Sequence, residues 1–325
     1  MPKAFRSAFG TLLLKDNIAK ESDKGEIMLF DALPLFCIQP VSEFVFSALK
    51  TAYTNRGIHP RLVDSLVDSL TFNALTQSDW QMIKARHIDD NFLDMYKQYK
   101  SSERPLFLFQ TIRQYFEIFS DNKLFTFVDI GCGENRFCEF LVSAIPIKNI
   151  RAIGTDVIDY SFNKKNRNID FKFQKSPSVI PLDDQEANVI LLANVLQHID
   201  HYLLENVLIE IYRILAKGGY IIIFEDSWDE NYAISDSDSQ MIKAFHSMDD
   251  VNKVNSLILM DFIGTILLMA DNINMPRPYT FRTLDNWISI FKGIGFTVYN
   301  ASYMLFPKEK LHLNPQVKVV LYKEA

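Results

Sequence analysis

Between residues 124 and 225 short apolar runs alternate with longer amphipathic ones. The runs "LFTFVDI", "RAIGTD", "IDFKF", "NVILLAN" and "YIIIFED" have the length and content of buried strands. Between the last two, "YLLENVLIEIYRILAKGG" places Leu204, Val207, Leu208, Ile211, Ile214 and Leu215 on one face. That spacing predicts a helix closed by Gly218 as its C-terminal cap. Strands alternating with helices predict a parallel sheet covered on both faces, with ligands at the carboxyl ends of its strands.

The flanks read differently. Residues 1 to about 120 predict helices, two of them opening on a proline: "PVSEFVFSALKTAY" from Pro40 and "PRLVDSLVDSL" from Pro60. "RPLFLFQTIRQYFEIF" from Arg104 carries Leu106, Phe109, Ile112, Phe116 and Phe119 near a helical stripe. The plain reading of this region is a helical layer packed against the strand-rich region beyond it. From Ser227 to Met275 the pattern is helical and loop-rich, with "SDSDS" at Ser235–Ser239 as a loop or cap. Beyond residue 280, "TLDNWISIFKGIGF" predicts a helix ending near Gly293–Gly295, and "FTVYNASYML" and "QVKVVLYKE" predict a final pair of strands, read as antiparallel. The expected division is a helical region over 1–120 and an α/β domain over 121–325, with a helical insertion at 232–276.

Composition narrows the classes. With 48% apolar residues in 325, the chain can bury a sizeable core. A net charge of −6 argues against broad binding to nucleic acid or anionic membrane. The most apolar stretch, Leu257–Ala270, is too short for a membrane span and carries Asp261. Cys37, Cys132 and Cys138 have no paired spacing, which favours a reducing, cytoplasmic setting.

The chemistry sits at the strand ends. In "FVDIGCGENRF" a strand runs into Asp129, and Gly131 and Gly133 allow a tight turn and close approach of a ligand. A helix opening near Arg136 points free N–H groups at that ligand. Arg136 stands where a dinucleotide site wants a third glycine, so NAD is not expected. Asp156, ending the next strand, can accept hydrogen bonds from a ribose or cap a helix.

These residues, with "IPLDDQEANVILLANVLQHI" and "ILAKGGYIIIFED", resemble the class I S-adenosylmethionine-dependent methyltransferases, nearest to the small-molecule, quinone-biosynthesis-like branch. The resemblance covers about 124–226 well and 280–325 loosely. It implies a Rossmann-like seven-stranded sheet, mostly parallel, with an antiparallel final strand and helices on both faces. It further implies that Asp129, Gly131 and Gly133 hold the methionine part of S-adenosylmethionine and that Asp156 takes the ribose hydroxyls. Val157 would pack on adenine, and Asn194 and Val195 would lie near the sulfonium. The family's acid after the third strand is replaced by Gln174, Lys175 and Ser176, which leaves the adenine contact open.

His198 and Asp226 are the candidate catalytic residues, as base or acceptor contacts; Glu225 and Asp226 can equally cap the following turn. His198 and His201 on one helix face could share a metal, but no third ligand is evident and no metal is expected. The expected function is methyl transfer to a small, largely apolar or aromatic acceptor, with a homodimer as a possible assembly. The insertion and N-terminal helices, with Tyr96, Tyr99, Phe245, His246, Met248, Met260, Phe262 and Met269, are expected to form a lid over it. The rivals are a non-catalytic cofactor-binding regulator of the same fold, and an enzyme that uses the cofactor only for its charge.

Overall fold

Seven strands form one sheet in the order β3-β2-β1-β4-β5-β7-β6. They are β1 (Phe125–Ile130), β2 (Ile150–Asp156), β3 (Ile169–Phe173), β4 (Ala187–Ala193), β5 (Leu215–Asp226), β6 (Thr297–Tyr303) and β7 (Gln316–Tyr322). The computed structural model describes residues 33–72, 82–83, 85–88, 90–117, 124–144, 150–160, 169–268, 278–306 and 314–324. The first five strands run parallel, and β7 lies antiparallel between β5 and β6. The fold is thus the Rossmann-like, mostly parallel sheet expected from the alternation of elements.

Period-two side-chain alternation builds a core on each face. Val128, Ile130, Ile190, Leu192, Ile221 and Ile223 point to one face, covered by α4 (His201–Ile214) and α5 (Leu284–Ile294). Phe127, Val189, Leu191, Ile222 and Phe224 point to the other. That face is covered by α1 (Arg104–Ile112), α2 (Gln114–Glu117) and α3 (Arg136–Ala144). Phe116 stands against Phe125 and Phe127, with ring centroids 5.7 and 5.6 Å apart. The buried side of α1 is Pro105, Leu108 and Ile112, and Leu106, assigned to the stripe from spacing alone, is exposed. Phe119 lies outside the described residues.

The entry to β5 departs from the sequence expectation. Helix α4 ends at Ile214, four residues before Gly218, and the chain passes directly into β5. Leu215 pairs with Ala187 and Tyr220 with Val189, so the residues between them bulge opposite Asn188. Gly218 takes φ +74° in this bulge, and a Cβ on Gly219 would stand 2.8 Å from the Asn188 carbonyl oxygen. The end of α4 is closed instead by Lys323, whose Nζ donates to the Tyr212 and Leu215 carbonyls at 2.8 Å each. The two glycines serve a strand bulge, not a helix cap.

The chain divides into two compact units. One comprises the described residues of Met1–Leu93 and Asn231–Asn274, the other those of Asp94–Glu230 and Met275–Ala325. In the first, helices Gln39–Asn55, Pro60–Phe72, Gln240–His246 and Asp250–Leu268 pack together, with Phe44 and Phe245 rings 5.4 Å apart. Ser239 caps helix Gln240–His246 by accepting the Ile242 N–H, the capping role allowed for "SDSDS". Phe245, Met260 and Phe262 are buried core residues. Met269 and the side chain of Tyr96 lie outside the described residues. None of the described helices is long and apolar enough to cross a membrane.

Candidate active site

Two turns leave the carboxyl ends of neighbouring parallel strands, one after β1 and one after β4. The first runs from Gly131 to Asn135 and alternates left-handed residues: Gly131 at φ +69°, Gly133 at +53° and Asn135 at +63°. Asn135 is the non-glycine residue that tolerates this conformation, and it takes it here. The inner side of the turn is packed. A Cβ on Gly131 would stand 2.6 Å from Val195 Cγ2, and one on Gly154 would stand 2.2 Å from Asn135 Oδ1. Gly133 faces open space, with nothing within 4 Å of where its Cβ would be.

Asp156, at the end of β2, holds this turn. Its Oδ2 accepts the Gly133 N–H at 2.8 Å and its Oδ1 the Ile158 N–H at 2.9 Å. A carboxylate has about four acceptor positions, so two such bonds leave capacity for a ligand. Burial raises its pKa, and its N–H partners act in the opposite direction. Val157, half-buried, follows it. Gln174 donates its backbone N–H to the Asp156 carbonyl, and its buried Nε2 has no hydrogen-bond partner.

Asp129, the last residue but one of β1, is almost completely buried. Burial pushes its pKa up to about 8; the Asp156 charge adds to the rise and Arg104 opposes it. Cys132 has its thiol pushed far up by burial and by Asp129, which fits a packing role and not a nucleophile.

The second turn begins at Asn194, also left-handed at φ +59°. Glu225 at the end of β5 holds it. One carboxylate oxygen accepts the Val195 and Leu196 N–H groups at 2.9 and 2.8 Å, and the other accepts that of Gln197 at 3.2 Å. Glu225 is fully buried; burial raises its pKa to about 8 against the pull of those amides. Glu225 therefore holds the turn after β4, and not the turn following β5 that the sequence reading allowed it to cap.

Asp226 points into a cage of carboxamides. Asn194 Nδ2 donates to its Oδ1 at 2.6 Å, Gln316 Nε2 to the same oxygen at 3.2 Å, and Asn314 Nδ2 to Oδ2 at 2.5 Å. Such a carboxylate suits an anchor for Asn194 better than a proton acceptor. Asn314 and Gln316 carry no signal in the sequence, being lone amides far along the chain. They reach the site because β7 inserts beside β5.

His198 closes a 3₁₀ turn at Leu196–His198, half-buried, its Nε2 3.4 Å from Gln197 Nε2. His201 opens α4, exposed against Tyr202. The two histidines thus belong to different helical elements, not to one helix face. Among the described residues no group of three side chains suited to a metal is found.

No curated protein matches the chain. Among solved structures, the chain is similar to the CurJ carbon methyltransferase at 14% identity, covering 90% of this chain and 70% of that one, with a TM-score of 0.48. A SAM dependent methyltransferase from Aquifex aeolicus matches at 13% identity, covering 76% and 98%, with a TM-score of 0.41. The 1,6-didemethyltoxoflavin-N1-methyltransferase of Burkholderia thailandensis matches at 12% identity, covering 71% and 86%, with a TM-score of 0.42. Over residues 128–223, from within β1 to within β5, the chain matches the family model described as a methyltransferase domain.

Proposed function

We propose that the protein transfers a methyl group from S-adenosylmethionine to a small, largely apolar or aromatic organic acceptor. The observation that carries this reading is the turn after β1. It is left-handed at three alternate residues, closed on its inner side, open at Gly133 and braced by a carboxylate with acceptor capacity to spare. The residues fit the cofactor. Asp129, Gly131 and Gly133 would hold its amino-acid end, and Asp156 would take the ribose hydroxyls. Val157 would pack on the base, and the unpartnered Gln174 Nε2 offers a buried donor for the base edge. Asn194 and Val195 would line the wall nearest the sulfonium.

When bound, the sulfonium supplies an already activated methyl group. The chain then has to align an acceptor and shield it from water. For an oxygen or nitrogen acceptor we assign proton removal to His198, and to Asp226 the fixing of Asn194. Incubation with methyl-labelled cofactor and a cell extract tests the reading. Label in the small-molecule fraction supports it. Label only in protein or nucleic acid overturns the acceptor class. Tight cofactor binding without any turnover favours a regulatory member of the fold.

A further inference from the structure

The segment 278–283, just before α5, is bonded to the turn that carries His198. Thr280 makes the join. Its N–H donates to the Gln197 carbonyl at 3.1 Å. Its hydroxyl lies 3.2, 3.2 and 3.1 Å from the Leu196, Gln197 and Ile199 carbonyls. The same segment follows the chain that leaves β5. Ser227 Oγ donates to the Arg282 carbonyl at 2.6 Å, and the Leu284 N–H to the Trp228 carbonyl at 2.9 Å. Arg282 is thereby fixed beside the ends of β4 and β5. Its Nη1 donates to the Thr280 carbonyl at 2.7 Å, and its guanidinium carbon stands 5.1 Å from the centre of the Trp287 ring.

Arg282 differs from the other half-buried arginines around the sheet. Arg151 pairs with Asp170 and Glu186, Arg213 with Asp184 and Glu210, and Arg136 with Glu134. Arg104 Nη2 donates to Asn194 Oδ1 at 2.8 Å. Among the described residues Arg282 has no carboxylate partner, and the Thr280 carbonyl is its one acceptor. Burial lowers its pKa to about 10, and the Glu225 charge opposes that fall. Glu225 is itself committed to three amides. Two buried indoles adjoin the segment, Trp287 beside the guanidinium and Trp228 on the Leu284 N–H, and neither indole N–H has an acceptor among the described residues. Donors therefore outnumber acceptors at this corner. A guanidinium drawn partly out of water without an anion is unfavourable, and a ligand carboxylate would relieve it.

We propose that Arg282 receives a carboxylate carried by the methyl acceptor, which makes the acceptor an organic acid with an apolar or aromatic body. The proposal rests on the methyl-transfer reading and narrows its acceptor class. Nη1 is engaged with Thr280, which leaves the Nε–Nη2 edge to meet the two carboxylate oxygens side by side. Thr280 ties that guanidinium to the turn bearing His198. Capture of the acid end therefore sets the rest of the acceptor against the residue assigned to take its proton.

The test incubates the full chain with methyl-labelled S-adenosylmethionine and the small-molecule fraction of a cell extract, then separates the labelled products by anion exchange. Label should be retained at neutral pH and released at about pH 2, where a carboxylic acid is neutral and a sulfate or phosphate ester keeps charge. Arg282→Gln should cut labelling of that acid fraction about tenfold or more, the range of a charged hydrogen bond. The cut should appear as a higher apparent KM with kcat kept, and S-adenosylhomocysteine affinity should not change. Arg282→Lys should recover part of the loss, and it stands in if the glutamine variant does not fold. Label in neutral or phosphorylated products overturns the assignment and leaves the methyl-transfer reading intact. So does an Arg282→Gln variant that labels acids as well as the wild type, or one that loses only kcat, as a merely structural tie to Thr280 would give. A wild type that labels no small molecule overturns the methyl-transfer reading, and this inference falls with it.

Discussion

The turns after β1 and β4 are built on one plan and end in different states. Each follows a parallel strand, each carries a left-handed residue, and each is held by a carboxylate from the last two residues of the next strand out. Asp156 spends one oxygen on Gly133 and the other on Ile158. Glu225 gathers three N–H groups and is sealed from solvent. The first arrangement braces a turn and keeps acceptor positions for a ligand. The second is closed. A carboxylate at a strand end is therefore not a site by position alone; what remains of its hydrogen-bonding capacity decides.

The largest effect is expected where the closed turn is broken. Glu225→Ala leaves three buried N–H groups without an acceptor, at a cost of about 3 kcal/mol or more. Denaturant unfolding should show that loss, and S-adenosylhomocysteine binding should fall with it. Asp156→Ala should behave in the opposite way. Its stability loss should be smaller, because its turn opens to space at Gly133. Its ligand affinity should fall by about 1–3 kcal/mol, from ribose hydroxyls left unpaired. Equal ligand affinity in Asp156→Ala would remove the functional distinction between the two turns.

The contrast also explains what could be read in advance. The β1 turn is made of backbone, and glycines announce backbone that needs left-handed φ, so Asp129, Gly131, Gly133 and Asp156 stand out from spacing alone. Strands β1, β2, β4, β5 and β7 are legible because their apolar runs are buried on both faces. The β4 side is made of side chains from distant segments. Arg104 reads as a helix-opening residue and Gln316 as the first residue of a strand, and Asn314 carries no signal. Only the insertion of β7 beside β5 brings the two amides Asn314 and Gln316 to Asp226. The glycine pair at Gly218–Gly219 misleads for a related reason. A glycine after an amphipathic run signals a cap, and the bulge it serves depends on a pairing with Asn188 that local pattern cannot contain.

The two motif glycines sharpen the comparison on a smaller scale. Alanine at Gly131 is strained by φ +69° and would press on Val195, so the loss should be about 1–3 kcal/mol with both turns disturbed. Alanine at Gly133 carries a similar backbone strain but meets no atom. Its stability loss should be the lesser of the two, about 1 kcal/mol. Its methyl would stand in the open cradle, so binding should fall by more than stability does. Thermal unfolding with and without S-adenosylhomocysteine separates these outcomes. If the two variants lose ligand-induced stabilisation in proportion to their own destabilisation, Gly133 does not face the ligand.

The smallest effect concerns protons. Burial, with Asp156 adding, raises Asp129 to about 8, and Arg104 only moderates it. A carboxyl whose folded pKa lies above its unfolded value binds protons in the native state that the unfolded chain has released. Its contribution to stability is complete at low pH and is lost as pH rises through about 4 to 8. Glu225, also raised to about 8, acts in the same direction. The melting temperature should therefore decline across that window, and less so in Asp129→Asn, where the amide replaces the neutral acid. Ligand binding gives the finer test. An ammonium placed beside Asp129 favours its charged form, so binding near neutral pH should release a fraction of a proton. Calorimetry in two buffers of different ionisation heat measures that fraction. It should vanish well above pH 8, where the acid is already ionised, and it should be absent in Asp129→Asn. The same proton count in that variant would show that the amino end of the ligand lies elsewhere. The acid at the end of β1 would then belong with Glu225, as a structural carboxyl.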